Sequence, residues 1–213
     1  MVNPFQSCVL PSERIPLVEP SLLTLPCTES CIVEALYEKS GPVHSARFSF
    51  PTSLVEAAVI IPLIPRERSW DLLFIRRTEG IAHHPGQIAF PGGRAEAEDS
   101  SPLHTALREM DEELGIRLDA SSILGFLPPA QTQKSGFLIH PFVARLDAPF
   151  ILKPDPGEVS GTILIPLLFF LEKVNLSPSA EHFDHQGNVV WGATARVMTQ
   201  LSVALLTRMG CAS

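Results

Sequence analysis

The stretch from Ser101 to Gly115 constrains the fold most, because it reads as a helix with both ends marked and two unlike faces. Ser101 is a capping residue, Pro102 suits the first turn, and Gly115 can end the helix in a left-handed conformation. Leu103, Ala106, Leu107, Met110 and Leu114 form an apolar stripe. With Glu109 set at zero and about 100° per residue, the stripe centres near about 115°, Glu113 falls at about 40° and Glu112 at about 300°. An acidic edge therefore runs beside a buried stripe. Packing does not require that edge, and like charges at i,i+4 cost about 0.2–0.5 kcal/mol per pair. A solvated face carries such spacing too, but a bound cation would relieve the repulsion. All-oxygen donors favour Mg2+ or Mn2+ over Zn2+.

Upstream, Gly92 and Gly93 free the backbone for conformations closed to other residues and offer carbonyls without steric cover. Arg108 sits beside Glu109 and can fix a carboxylate by paired hydrogen bonds. Together these groups could bind hard divalent ions, neutralise a phosphate chain and activate water.

The rest of the chain supplies strands and further helices. Ala57 to Ile64 reads as a buried strand, Asp71 to Arg77 as a second, and Pro65 to Ser69 as the turn between them. Leu124 to Leu127, Phe137 to Leu146 and Glu158 to Pro166 are further strand candidates. Phe169 to Val174 begins a short helix, and Val189 to Gly192 opens a final one over roughly Ala193 to Met209. Residues 1–50 read as an N-terminal extension packing on a domain of residues 51–213. Within that extension, Leu17 to Leu25 is broken by proline and Cys31 to Tyr37 suits a short amphipathic helix. Mixed strands and helices indicate an α/β or α+β layered domain.

The residues from Gly93 to Ile116 resemble the Nudix box, G-x5-E-x7-R-E-U-x-E-E-x-G-U. The second half matches in full through Arg108, Glu109, Met110, Glu112, Glu113, Gly115 and Ile116. The first half departs: Asp99 stands at the first glutamate position, and eight residues rather than seven separate it from Arg108. That spacing is similar to the coenzyme A pyrophosphatase-like subgroup, as is an upstream element carried here by Leu73, Arg77, Gly86, Phe90, Pro91, Gly92 and Gly93. Phe74, Ile75, Thr78 and Ala82 depart from that element; Ala82 replaces a second arginine. Pro156 to Val159 and Val190 to Thr194 also look like subgroup features.

The resemblance implies a Nudix fold, a mixed β-sheet sandwiched between helices. It implies hydrolysis of a diphosphate with Mg2+ or Mn2+, held by Glu109, Glu112 and Glu113 with a carbonyl near Gly93. Arg108 would orient the carboxylates. The base would be a box glutamate or a later-loop carboxylate; Glu158 is the candidate for the latter, though it suits a plain surface glutamate better. Arg77, Gly86, Phe90 and Gly92 would meet substrate. The implied reaction cleaves coenzyme A or acyl-CoA to 3′,5′-ADP and (acyl-)4′-phosphopantetheine. Other diphosphates (ADP-ribose, NADH, a dinucleoside polyphosphate) or a non-catalytic nucleotide-binding module remain alternatives.

Several residues admit plainer readings. Arg77 suits a surface ion pair almost as well as a phosphate contact. His83 and His84 are adjacent loop residues, which seldom converge on one ion. His182, Asp184 and His185 read as a polar turn, Trp191 as core, and Asp99 equally as a partner of Arg108 or a metal group. His83, His84, Arg76 or Lys134 could replace the cation lost at Ala82.

Composition narrows the partners. A formal net charge of −7 argues against a nucleic-acid backbone as partner. The 20 prolines favour short elements over a helical bundle. Cys8, Cys27, Cys31 and Cys211 form no C-x-x-C pair and read as reduced structural thiols. The longest apolar run, Ile163 to Leu171, is too short to span a bilayer and contains Pro166. The expectation is a cytoplasmic enzyme with a small nucleotide substrate and no membrane partner. The oligomeric state stays open, a homodimer included.

Overall fold

The computed structural model describes residues 27–43, 46–47, 53–80, 85–132, 136–176 and 182–209. Its centre is a mixed sheet built on β1 (Val55–Pro65), β2 (Trp70–Arg77) and β7 (Phe137–Arg145). β1 and β2 form the expected antiparallel hairpin, closed by the Arg66 N–H donating to the Ser69 carbonyl at 2.9 Å. β1 pairs with β7 in parallel along nine residues, Val55 to Leu63. Five further strands complete the sheet. β3 (Ile88–Ala89) and β8 (Val159–Pro166) pair with β2, β4 (Gly92–Arg94) with β1, and β5 (Ile123–Phe126) and β6 (Ala130–Gln131) with β7.

Both sheet faces are covered, which explains why β1 and β2 read as nearly continuous apolar runs. Ala58, Ile60, Ile64, Leu73 and Ile75 point to one side, where α2 (Pro102–Leu114) packs Ala106, Met110 and Leu114 on them. Ile61, Leu63, Leu72 and Phe74 point to the other. There they meet α1 (Glu29–Ser40), α3 (Leu167–Leu176) and α4 (Gly192–Arg208). The alternation carries Arg77 to the α2 side with Leu73 and Ile75, and Arg76 to the opposite side.

α1 belongs to the same core, with Ile32, Ala35 and Leu36 buried. A Cβ on Gly125 would lie 2.6 Å from that of Leu36, so α1 can approach β5 only where β5 has no side chain. The indole N–H of Trp70 donates to the Cys27 carbonyl at 2.7 Å and anchors the start of α1. Leu17 to Leu25 lies outside the described residues.

One region differs from the sequence expectation. Val189 to Trp191 does not open the last helix; it lies in β10 (Asn188–Trp191), paired with β9 (His182–His185). Gln186 and Gly187 make the turn, both at positive φ (55° and 81°). His182, Asp184 and His185 are therefore strand residues, not a polar turn. Val190 is buried against α4's layer while Trp191 is half exposed, so Trp191 is not core.

Candidate active site

Helix α2 forms as its ends require. The Ser101 hydroxyl accepts from the His104 N–H at 3.2 Å, and Gly115 takes φ 66° while its N–H donates to the Asp111 carbonyl. The helix then meters out exposure by angle. Glu113, nearest the apolar stripe, is 1% exposed; Glu109 is 13% and Glu112, on the far side, 58%. What reads in sequence as one acidic edge is thus a gradient from core to solvent.

The glycine pair makes room for that gradient. Gly92 takes φ +150°, and a Cβ there would lie 2.3 Å from the Ala58 carbonyl oxygen. A Cβ on Gly93 would lie 2.4 Å from Oε1 of Glu109. Position 92 thus needs glycine for the backbone, and position 93 needs it for the glutamate. The Gly92 N–H donates to Oε2 of Glu113 at 2.8 Å.

Arg108 is the hub on the solvent side. Its Nε and Nη2 donate to the two oxygens of Asp99 at 3.2 and 3.0 Å. Its Nη1 donates to Glu109 at 3.0 Å and to Glu112 at 2.7 Å, and Nη2 also reaches the Arg94 carbonyl. Asp99 additionally accepts from the Thr105 hydroxyl and the Glu96 N–H, both at 2.9 Å. Burial alone would raise the Asp99 carboxyl, but these donors, Arg108 foremost, outweigh it and hold it down at about 2. Its hydrogen bonds to Asp99 push the Arg108 guanidinium above its ordinary value. Asp99 is thus the partner of Arg108, the first of its two open readings.

The inner carboxyls behave in the opposite way. Burial pushes Glu113 up to about 8, despite the Gly92 N–H, with the charges of Glu109 and Glu158 adding to the rise. Burial likewise raises Glu109 to about 6, against the pull of Arg108 and with the push of Glu112 and Glu158. Arg77 Nη1 lies 3.4 Å from Oε1 of Glu113, which brings the β2 arginine into the same site.

Glu158 arrives on the loop that covers the end of α2. The Asp155 N–H donates to the Glu113 carbonyl at 3.0 Å, Glu158 N–H to Asp155, and Thr78 N–H to Glu158. Its side chain is exposed, yet its charge is felt at both inner glutamates.

Other expected residues have different duties. Phe90 is 3% exposed and stacks on Phe74 at 4.7 Å between centroids, so its ring is core and offers no face to substrate. Gly86 takes φ +67° in the β2–β3 turn, and its N–H donates to the Arg77 carbonyl. It shapes the strand end that carries Arg77. Arg76, a possible replacement cation, is held by Asn188 at 2.8 Å on the opposite sheet face. Ala82, His83, His84 and Lys134 lie outside the described residues.

Sequence reasoning missed one buried polar contact, Glu56 Oε2 with His140 Nε2 at 2.5 Å on the α2 side of β1 and β7. Only the breaks in apolar alternation at these two positions hint at it.

The donor set suits a hard divalent cation in chemistry, because burial and mutual repulsion leave Glu109 and Glu113 short of positive charge. Among the described residues, no three His, Cys, Asp or Glu side chains already converge as a cluster that could hold a metal ion. Glu112 is turned to Arg108, and Glu109 shares that guanidinium.

Comparison with known proteins agrees with this geometry. Residues 54–183 match the NUDIX domain family model. The chain is 35% identical over 167 residues to the Uncharacterized Nudix hydrolase NudL of Yersinia enterocolitica, covering 72% of this chain and 83% of that one. It is 33% identical over 177 residues to the NudL of Pectobacterium atrosepticum, covering 78% and 87%. In fold it resembles a MutT/nudix family protein from Enterococcus faecalis, with TM-score 0.54, 13% identity and coverage of 83% and 78%. The family match, the relatives and the glutamate helix beneath Gly92 and Gly93 lead to one assignment: the chain belongs to the Nudix hydrolases, divalent-metal-dependent pyrophosphohydrolases.

Proposed function

We propose that this enzyme cleaves the diphosphate of coenzyme A or an acyl derivative, giving 3′,5′-ADP and (acyl-)4′-phosphopantetheine. The observation that carries the reading is the approach of Arg77 to Glu113. It puts a fork suited to phosphate beside the most buried carboxylate of the helix. The subgroup-like element that supplies Arg77 also supplies Gly86, Phe90 and the glycine pair, and each has a defined part in shaping this corner.

Glu109, Glu112 and Glu113, with the Gly93 carbonyl, would hold Mg2+ or Mn2+. When bound, the ion neutralises the phosphate chain and lowers the pKa of the attacking water. Arg108 holds Glu109 and Glu112 on one guanidinium and is itself fixed by Asp99, so the outer carboxylates are oriented in advance. Arg77 receives the phosphate. Glu158, exposed and near enough for its charge to act on Glu109 and Glu113, would take the proton from water.

Incubation with coenzyme A and Mg2+, with product identification, tests the reading. 3′,5′-ADP and 4′-phosphopantetheine are expected. A kcat/KM higher for ADP-ribose than for coenzyme A would reject it in favour of another nucleoside diphosphate, a reading that Ala82 in place of an arginine favours. No helix of the described residues is long and apolar enough to cross a membrane.

A further inference from the structure

Glu56 and His140 form a contact that the chemistry above does not use. Oε2 of Glu56 and Nε2 of His140 lie 2.5 Å apart, and the two residues are 7% and 3% exposed. Their neighbours on the same sheet face, Ala58, Ile60, Phe142 and Ala144, are apolar and buried. A carboxyl and an imidazole cost free energy to bury there, and a well-packed apolar pair is often as stable or more so. Stability alone therefore does not account for them.

Their place in the sheet supplies a reason. In the parallel pairing Glu56 lies beside Leu138 and His140 beside Ala58, so the contact runs diagonally from one strand to the other. β1 is buried along most of its length on both faces, so sliding it along β7 exposes little, and the apolar pattern specifies the register weakly. A directional polar contact forms in one register only. That register matters at the site. Helix α2 rests on both strands, since Ala106, Met110 and Leu114 share a buried cluster with Ala58 and Ile60 of β1 and with Phe142 and Ala144 of β7. The glycine pair, by contrast, is carried by β1: Gly92 lies beside Val59 and Gly93 beside Ala58. A slip of one residue is about 3.3 Å. The Gly92 N–H reaches Oε2 of Glu113 at 2.8 Å and would not survive it.

Glu56 acts on the same corner through its backbone. Its carbonyl accepts from the Ala95 N–H at 2.9 Å, and the next N–H, of Glu96, donates to Asp99 at 2.9 Å. Asp99 holds Arg108 at 3.0 Å, and the Arg94 carbonyl accepts from Arg108 at 3.1 Å. Position 56 is thus the point on β1 to which both anchors of Arg108 are tied.

We propose that Glu56 and His140 are positioning residues. Their contact locks β1 against β7 in the register that sets Gly92, Gly93 and Asp99 against the α2 carboxylates and Arg108. This rests on the proposed reading of Glu109, Glu112 and Glu113 as holders of a divalent cation.

The test replaces the pair by leucines, Glu56→Leu with His140→Leu, beside Glu56→Gln, which keeps the side-chain length and a hydrogen-bonding oxygen. Tm, Mn2+ affinity by titration calorimetry, kcat and amide exchange are measured on the full chain. The leucine pair should melt within about 3 °C of wild type or higher. It should nevertheless bind Mn2+ about tenfold more weakly and lose about tenfold or more in kcat. Its Ala95 and Glu96 N–H groups should exchange about tenfold faster, with the amides from Leu107 to Leu114 unchanged. Glu56→Gln should stay within about threefold of wild type in Mn2+ affinity and kcat. A leucine pair with wild-type Mn2+ affinity and exchange would overturn the proposal. So would a Glu56→Gln variant as impaired as the leucine pair, which would give the role to the charge and not to the contact. If the leucine pair does not fold, Glu56→Asp, which keeps the charge and shortens the reach by one methylene, takes its place under the same criteria. A wild type that binds no Mn2+ defeats the ligand reading alone; exchange at Ala95 and Glu96 then decides the register.

Discussion

The carboxylate of Glu109 occupies the space that a side chain at position 93 would need: a Cβ on Gly93 would lie 2.4 Å from its Oε1 and 2.6 Å from its Oε2. The obstacle is the far end of a flexible side chain, and Gly93 is not at positive φ. Gly93→Ala should therefore push the glutamate aside at small cost to the fold. We expect kcat to fall by about 10²-fold or more with Tm nearly unchanged. Gly92→Ala meets the Ala58 carbonyl and the Val59 Cα, from a φ of +150° that alanine resists. It should destabilise by on the order of 3 kcal/mol, lowering Tm by about 10 °C. Thermal melts and kinetics on the two neighbours separate the two duties.

Asp99 should show its role in the pH dependence of stability. Its folded value, about 2, lies below the ordinary 3.8, so the native state favours the ionised form. That contribution is fully present above about pH 4 and is lost as pH falls through about 2. It is on the order of 1 kcal/mol after allowance for solvent screening. Wild type and Asp99→Asn should differ in Tm at pH 7 and converge below pH 3. A gap that stays constant down to pH 2 would rule out the ionised Asp99–Arg108 pair as its source. Because Arg108 also holds Glu109 and Glu112, Asp99→Asn should lower kcat as well.

The helix carrying these residues was legible because its signals are local: a cap, a proline, a 3.6-residue stripe and a terminal glycine within 15 residues. The two central strands were legible because burial on both faces leaves long apolar runs. The β9–β10 hairpin was not, since three apolar residues before a helix look the same whether they start it or pair with another strand. The Gly187–Asn188 step was the available clue, and its weight became visible only with both strands in place. Phe90 shows a second limit. Its position in a motif says that the residue matters, and only packing on Phe74 says that it matters as core. Burial graded along α2 was implicit in the wheel angles, but the upward push on Glu113 needed the sheet and Gly92 around it.

Glu113 and Glu109 should reverse the pH trend of Asp99. Both hold their protons to higher pH than ordinary carboxyls, so the metal-free native state binds more protons than the unfolded chain. Its stability should fall as pH rises from about 4.5 to about 8. Divalent cations require the ionised form, so Mg2+ or Mn2+ should bind more tightly as pH rises over that range and release protons on binding. The Tm difference between Mg2+- and EDTA-treated protein should widen from pH 6 to pH 8. Glu113→Gln should remove most of that widening and lower kcat by about 10²–10⁴. A pH-independent Mg2+ shift would count against the buried carboxylates as ligands.

Glu158 offers the sharpest separation of chemistry from scaffold. Its backbone is clipped between Asp155 and Thr78, and neither hydrogen bond uses the carboxylate. Glu158→Gln therefore preserves the loop, and Tm should move by less than about 0.5 kcal/mol equivalent, as for other surface substitutions. Loss of its negative charge should lower the proton affinity of both Glu109 and Glu113, since that charge helps raise them. If Glu158 takes the proton from water, kcat should fall by about 10²–10⁴ while KM stays within a few-fold. If it acts only through its charge, kcat should change little and the acidic limb of the kcat profile should shift to lower pH. The size of the kcat loss, measured with saturating Mg2+, decides between a base and a field.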